Sequence, residues 1–401
     1  MVSTSGISTR RLGRIREVLS GYIERGETAG AVVVTCRRGE SYIDTIGQAD
    51  VASGAPMLRD TIFRIASMTK PVTAVAAMIL VEETKLRLDD PVDDWLPELA
   101  DRKVLRSLEG PLDDTVPANR SITLRDLLTS RLGMGAIMAQ PGKYPVQALI
   151  DELKVGPSPI PPDLTNDEWM ANFGRLPLLH QPGERWMYHS GLDVAGVLIA
   201  RVSGMSLGAF MKERIFDPLG MHSTGFGVAP NKVDRLATAY RRDADGRLSI
   251  FDPAKGGHFD HPPKFEAGGG GLVSTAQDYL RFAQLLLDMG RRGATQILSR
   301  PAVELLTMDH ITPKQKELSP FVPGFWDNDG WGFGLSVTTH TDTIGPKVGS
   351  YGWTGGLGTS WRNDPREEMI TMFFNQRMMT SPMDVRASID CTTLAYQAIE
   401  D

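Results

Sequence analysis

A chain of 401 residues with 41% hydrophobic and 23% charged residues has the composition of an ordinary globular protein, long enough for two or three domains or two interleaved ones. A formal net charge of −6 and a pI near 5.7 argue against nucleic acid or an anionic membrane as the main partner. No apolar run reaches the ~20 residues of a membrane span, and the opening Met1-Val2-Ser3-Thr4-Ser5-Gly6 has no signal-peptide core, so the cytoplasm is the expected compartment.

In chain order, Leu12, Ile15, Leu19, Tyr22 and Ile23 recur at helical spacing and predict an amphipathic helix over 8–25. The β-branched run at 31–36 reads as a strand, and Arg38-Gly39-Glu40 turns it into a second strand at 41–46. The segment 63–80 organises the rest. A helix opens near Ser67, with Pro71 in the first turn, where a missing N–H costs little. From residue 72 to 81 that helix is apolar on nearly every face, which predicts deep burial. Ser67 and Lys70 stand three apart on one face, a hydroxyl beside an amine at a helix N-terminus. These are the parts of an activated serine nucleophile that needs no histidine. Taken alone the pair is weak, because Ser followed at +3 by Lys arises by chance roughly once in a chain of this size.

After Leu88 the texture becomes mostly helical, with segments at 123–129, 167–173, 191–202 and 207–215 separated by Pro-rich loops. Strand character returns after the glycine run 268–271. A helix capped by Ser274 or Thr275 follows through 287, then strands at 331–337, 348–354, 358–362 and 369–375, and a C-terminal helix opening at Ser381-Pro382. The simplest architecture is an antiparallel sheet closed from both chain ends and flanked by helices: residues 1–87 and 265–401 form an α/β domain, 88–264 a mostly helical domain, and the active site lies at their junction. Cys36 and Cys391 read as reduced core residues.

Two further stretches carry chemistry. Tyr188-His189-Ser190 offers a phenol that serves as a base where cationic neighbours lower its pKa, or else a half-buried aromatic with a satisfied hydroxyl. Tyr351-Gly352-Trp353-Thr354-Gly355-Gly356-Leu357-Gly358 is a glycine-rich strand that lets a substrate approach its backbone, or a bulge or tight turn. Three patterns are set aside. Gly204-Met205-Ser206-Leu207-Gly208 matches G-x-S-x-G but lies between helices, so Ser206 is read as an N-cap. His258 and His261 sit in a Gly/Pro-flanked loop without a further ligand cluster, so no metal is expected. His189 adjoins Tyr188 and is read as lining the cleft rather than pairing with a serine.

Together, Ser67-Met68-Thr69-Lys70, Tyr188-His189-Ser190 and Trp353-Thr354-Gly355 resemble the three motifs of the serine β-lactamase and penicillin-binding-protein superfamily, most nearly class C β-lactamases and family VIII carboxylesterases. The segments 122–129, 217–226 and 269–278 are similar to that family's connecting segments, and the resemblance spans residues 10–400. It implies Ser67 as the acylated nucleophile, Lys70 as its assistant, Tyr188 as general base, and the N–H groups of Ser67 and Gly356 as an oxyanion hole, with no cofactor. Trp353 stands where β-lactamases carry Lys or His, and Ser190 where Asn is common. Both departures favour neutral, apolar esters over β-lactams. Trp353, Thr354, Gly355, Ser190, His189 and Trp331 are the expected substrate contacts, and Trp169, Phe173, Phe325 and Trp326 are further aromatics near the rim or in the core. The expected activity is a carboxylesterase acting on short to medium acyl esters, with a small-molecule ester as sole assigned partner and the oligomeric state open. The alternatives are an acyltransferase, a linear amide hydrolase, a β-lactamase or D-Ala peptidase, and a non-enzymatic binding module.

Overall fold

The computed structural model describes residues 5–401, so Met1–Thr4 of the N-terminal reading lie outside it. Eight antiparallel strands form the main sheet: β1 (Gly30–Arg37), β2 (Glu40–Asp50), β3 (Ala55–Pro56), β4 (Asp329–Trp331), β5 (Ser336–Thr338), β6 (Tyr351–Gly355), β7 (Thr359–Asp364) and β8 (Met369–Phe374). Their spatial order is β4-β5-β6-β7-β8-β1-β2-β3, so the pairing of β1 with β8 joins the two ends of the chain. β1 is buried on both faces, which explains its unbroken apolar run. Ala31 and Val33 pack with Ile15, Leu19, Phe373 and Cys391 beneath α1 (Thr9–Glu24) and the C-terminal helix, while Val32, Val34 and Cys36 enter the main core. Both cysteines are buried and unpaired.

The central helix α2 (Thr69–Glu82) follows a 3₁₀ turn at Ala66–Met68, and every residue from Thr69 to Leu80 is buried. It packs against α3 (Ser190–Ser203), and α4 (Ala276–Leu287), capped by Thr275, lies against the core face of the sheet. Between α2 and α4 the chain is largely helical. Short helices at Leu124–Leu128 and Asn166–Gly174 are each opened by a threonine capping box that satisfies otherwise orphaned N–H groups. The hairpin of strands Ala239–Arg242 and Leu248–Asp252, counted with the helical part from sequence, is tied to the sheet side. Tyr240 exchanges backbone hydrogen bonds of 2.7 Å with Gln376 and Met378, and the fully buried Asp252 pairs with Arg64.

Three element boundaries differ from expectation. The strand expected at 331–337 is two strands, β4 and β5, broken where Gly334 takes φ +70° against the backbone of Lys70. The strand expected from 348 begins only at Tyr351. The C-terminal helix, α5 (Arg386–Tyr396), does not start at Ser381-Pro382. Asp384 instead takes two hydrogen bonds from Arg377, at 2.6 and 2.9 Å, and one from the Thr380 N–H, holding the chain in a turn first.

Candidate active site

Ser67 sits on a segment clamped from several sides. Arg64, fully buried, donates to Asp252 at 2.7 Å and to the Ala237 carbonyl, and its own N–H donates to Gln376. Ile65 donates to Leu272 and accepts from the Thr359 hydroxyl at 3.1 Å. Between this clamp and Ser67, Ala66 adopts φ +44°, a left-handed conformation that costs a non-glycine residue about 1–3 kcal/mol. The clamp supplies that energy and fixes Ser67 at the head of α2.

Strand β6 passes directly over this segment. A Cβ on Gly355 would lie 2.3 Å from the Ile65 carbonyl oxygen, so only glycine lets β6 run so close to the nucleophile loop. Gly356, the next residue, is exposed, and a Cβ there would meet nothing within 4 Å. Side chains alternate along β6. Trp353 turns toward Tyr188, whereas Thr354 turns to the opposite face, where it lines a cleft of about 470 Å³ with Ser360 and Arg362. The expected substrate contact of the Thr354 side chain is therefore corrected.

Around Ser67 the side chains form a directed set of hydrogen bonds. Lys70 Nζ, wholly buried, lies 3.0 Å from Ser67 Oγ, 3.2 Å from His189 Nδ1 and 2.5 Å from the Gly269 carbonyl oxygen. Tyr188 Oη accepts the Trp353 indole N–H at 2.6 Å, and the Ser67 hydroxyl is near enough to act on the phenol's titration. Lys70 Nζ lies over the Tyr188 ring, 4.5 Å from its centroid. Burial acts on the two groups in opposite senses. It pulls the Lys70 ammonium down to about 7, against the attraction of Asp193. It pushes the Tyr188 phenol up to about 12, with the nearby Ser67 hydroxyl and the Trp353 N–H opposing it. At neutral pH the phenol is thus intact, while a substantial fraction of Lys70 is free amine.

The geometry of Ser67, Lys70 and Tyr188 coincides with a match along the chain: the model of the Beta-lactamase family covers residues 15–389. The chain belongs to the Beta-lactamase family. Protein Rv1367c of Mycobacterium tuberculosis is 39% identical over 94% of this chain and 91% of its own length. The lovastatin esterase of Penicillium rubens is 30% identical over 92% and 94%. Among solved structures, EstCE1, described as a hydrolase with promiscuous acyltransferase activity, superposes with a TM-score of 0.78 at 25% identity over 98% of both chains. This Beta-lactamase-family chain is accordingly grouped with serine hydrolases and acyltransferases and carries the family's antiparallel sheet flanked by helices.

Other expected site residues sit differently. Trp331 is fully buried and packs edge-on behind Trp353, with ring centroids 4.6 Å apart, so it supports the wall rather than touching a substrate. Ser190 opens α3 and is itself buried. His189 does not simply line the cleft: its ring bridges Lys70 and Asp193, with Nε2 3.1 Å from Asp193 Oδ2. Trp169 stacks with both Phe173 and Phe265 in the helical core, whereas Phe321, Phe325 and Trp326 join Trp353 and Tyr188 in one aromatic cluster. Ser206 caps the helix Leu207–Met211 by accepting the Ala209 N–H. His258 and His261 each bond a carboxylate, and among the described residues no group of three His, Cys, Asp or Glu is placed to hold a metal. Asp193 and Gly269 were not singled out in the sequence. The four-residue spacing of His189 and Asp193 was the available signal for the first; a backbone carbonyl leaves none for the second.

Proposed function

We propose that the protein is a serine carboxylesterase that cleaves short to medium acyl esters through an acyl-enzyme on Ser67. The observation that carries this is the placement of Ser67 Oγ between the Lys70 amine at 3.0 Å and the Tyr188 phenol, with Trp353 bonded to that phenol. The opposed shifts of the two groups support one division of roles: Lys70, pulled down to about 7, takes the Ser67 proton, and Tyr188, pushed up to about 12, is the acid. This reverses the emphasis of the family resemblance, which puts Tyr188 first as base. Ser67 attacks the ester carbonyl carbon and Lys70 gains the hydroxyl proton. The N–H groups of Ser67 and Gly356 receive the oxyanion. Tyr188 protonates the departing alkoxide and is reprotonated from Lys70. Water then repeats the sequence to release the carboxylic acid and restore Ser67.

Substrate preference follows from what faces the nucleophile. Trp353, standing where β-lactamases carry Lys or His, joins Phe321, Phe325 and Trp326 in an apolar aromatic wall, which suits neutral acyl groups and disfavours β-lactams. An alcohol in place of water turns the same acyl-enzyme into an acyltransferase, a second reading favoured by the described activity of EstCE1. The unpaired buried thiols suit a reducing compartment such as the cytoplasm, and among the described residues no single helix is long and apolar enough to cross a membrane. The test is hydrolysis of p-nitrophenyl acetate and butyrate beside a chromogenic cephalosporin. Ester turnover far above cephalosporin turnover supports the reading. Equal turnover contradicts the role given to Trp353, and turnover of neither contradicts the esterase assignment.

A further inference from the structure

The three neighbours of the Lys70 amine differ in what they accept. The Gly269 carbonyl is an acceptor only. His189 presents Nδ1, and its state is set from the far side of the ring: Asp193 Oδ2 lies 3.1 Å from Nε2, while Oδ1 accepts the Gly269 N–H at 2.7 Å. A carboxylate facing Nε2 requires the proton there, which leaves Nδ1 as a lone pair toward Lys70. Lys70, His189, Asp193 and Gly269 thereby close a ring of polar contacts, three hydrogen bonds and the 3.1 Å His189–Asp193 pair. A neutral amine has two N–H groups and one lone pair. Gly269 O and His189 Nδ1 take both N–H groups, and the lone pair is left for the third neighbour, the Ser67 hydroxyl at 3.0 Å. In the other tautomer an Nδ1–H would compete with Ser67 for that lone pair.

We propose that His189 and Asp193 are positioning residues that fix this tautomer and so turn the Lys70 lone pair onto Ser67 Oγ. The inference rests on the reading of Ser67 as nucleophile and Lys70 as base. On acylation the Ser67 O–H bond breaks, its oxygen bonds the acyl carbon, and the proton becomes the third N–H of Lys70. The two acceptors hold the resulting ammonium, and neither His189 nor Asp193 gains or loses a proton. The ionisable groups facing Lys70 are Tyr188 across its ring face, His189, and Asp193, which is the group that raises the Lys70 pKa against burial. Burial and then the Lys70 charge hold the His189 imidazole below its ordinary value, in keeping with a neutral ring. Backbone geometry supports a built arrangement: His189 is held at φ +88° and ψ −69°, a rare and strained conformation for a residue with a side chain.

The test measures the rate at which a fluorophosphonate probe labels Ser67, read by intact mass across pH, for wild type, Ser67→Ala, Asp193→Asn, His189→Gly and His189→Asn, each checked for fold by near-UV circular dichroism. In Asp193→Asn the side-chain amide donates to Nε2 and flips the tautomer. The plateau labelling rate falls on the order of 10- to 100-fold, less than when a triad carboxylate is amidated, because the effect acts through Lys70. The midpoint of the rising limb also moves to lower pH, since a negative charge that favours the ammonium is gone. His189→Gly tolerates the positive φ and loses a similar factor. His189→Asn tolerates it too, places an amide oxygen near the position of Nδ1, and recovers most of the rate. Wild-type rate and midpoint in Asp193→Asn and His189→Gly overturn the inference while leaving Ser67 as nucleophile. A plateau loss with neither a shifted midpoint nor rescue by asparagine overturns it as well, by reducing the pair to a structural role. An unlabelled wild type, or Ser67→Ala labelled as fast as wild type, overturns both the inference and the esterase reading.

Discussion

The two flanks of Ser67 are built from opposite materials. On one side the Lys70–His189–Asp193–Gly269 ring is polar, buried and closed on itself. On the other, Tyr188 and Trp353 lead into an aromatic cluster of Trp186, Phe321, Phe325, Trp326 and Trp331, with the Tyr188 hydroxyl and the Trp353 N–H as its polar points toward Ser67. The first flank has every donor matched to an acceptor, which a buried polar network needs to keep one geometry. The second has shape and apolar surface. On the proposed reading the contrast separates tasks: deprotonation of Ser67 belongs to the ring, and protonation of the leaving group, with the choice of acyl or alcohol group, to the aromatic side.

Substitutions should break this contrast unequally. Ser67→Ala removes the atom both flanks serve, and ester turnover should fall by roughly 10³-fold or more with the fold intact, as read by p-nitrophenyl butyrate hydrolysis. Tyr188→Phe keeps the ring packing but deletes the acid, and kcat should fall about 10²- to 10³-fold. pH offers a milder handle on the polar flank. With the Lys70 amine as the proposed base and burial pulling its ammonium down to about 7, kcat/KM should rise with pH up to about 7 and fall about tenfold per unit below it. Trp353→Phe leaves the aromatic wall but not the N–H bonded to Tyr188, and kcat/KM for the butyrate ester should drop roughly tenfold, mostly in kcat. A drop confined to KM would instead make Trp353 a wall and nothing more. Ser206→Ala, remote from both flanks, should cost about 1 kcal/mol of stability through the lost helix cap while ester turnover stays unchanged.

The polar flank was half legible in the sequence. Ser67 and Lys70 became candidates through a spacing that places them on one helical face, weak alone but specific beside the buried apolar helix and the two later motifs. Tyr188 and Trp353 followed from motif order. His189 was assigned to the cleft because its neighbours in sequence say nothing about which ring nitrogen meets Lys70. That depends on Asp193 and on the backbone N–H that holds it, 76 residues further on at Gly269. On the aromatic flank, composition gave the rings but not their depth: Trp331 is buried because β4 and β5 fold into a hairpin, and that hairpin depends on a left-handed glycine packed against Lys70. Thr354 could have been turned away from the site by strand alternation once Trp353 was placed on it. The late start of the C-terminal helix was not readable, since the Arg377–Asp384 pair outweighs a good Ser-Pro opening signal.

The account stands most directly on where the acyl group goes and when. Rapid-quench mass spectrometry with p-nitrophenyl butyrate, followed by peptide mapping from about pH 5 to about pH 9, measures both. One butyryl group on the Ser67 peptide, formed at a rate that climbs through a midpoint near 7, is the predicted result. An adduct on another residue, or acylation of Ser67 at a rate indifferent to pH, would contradict it.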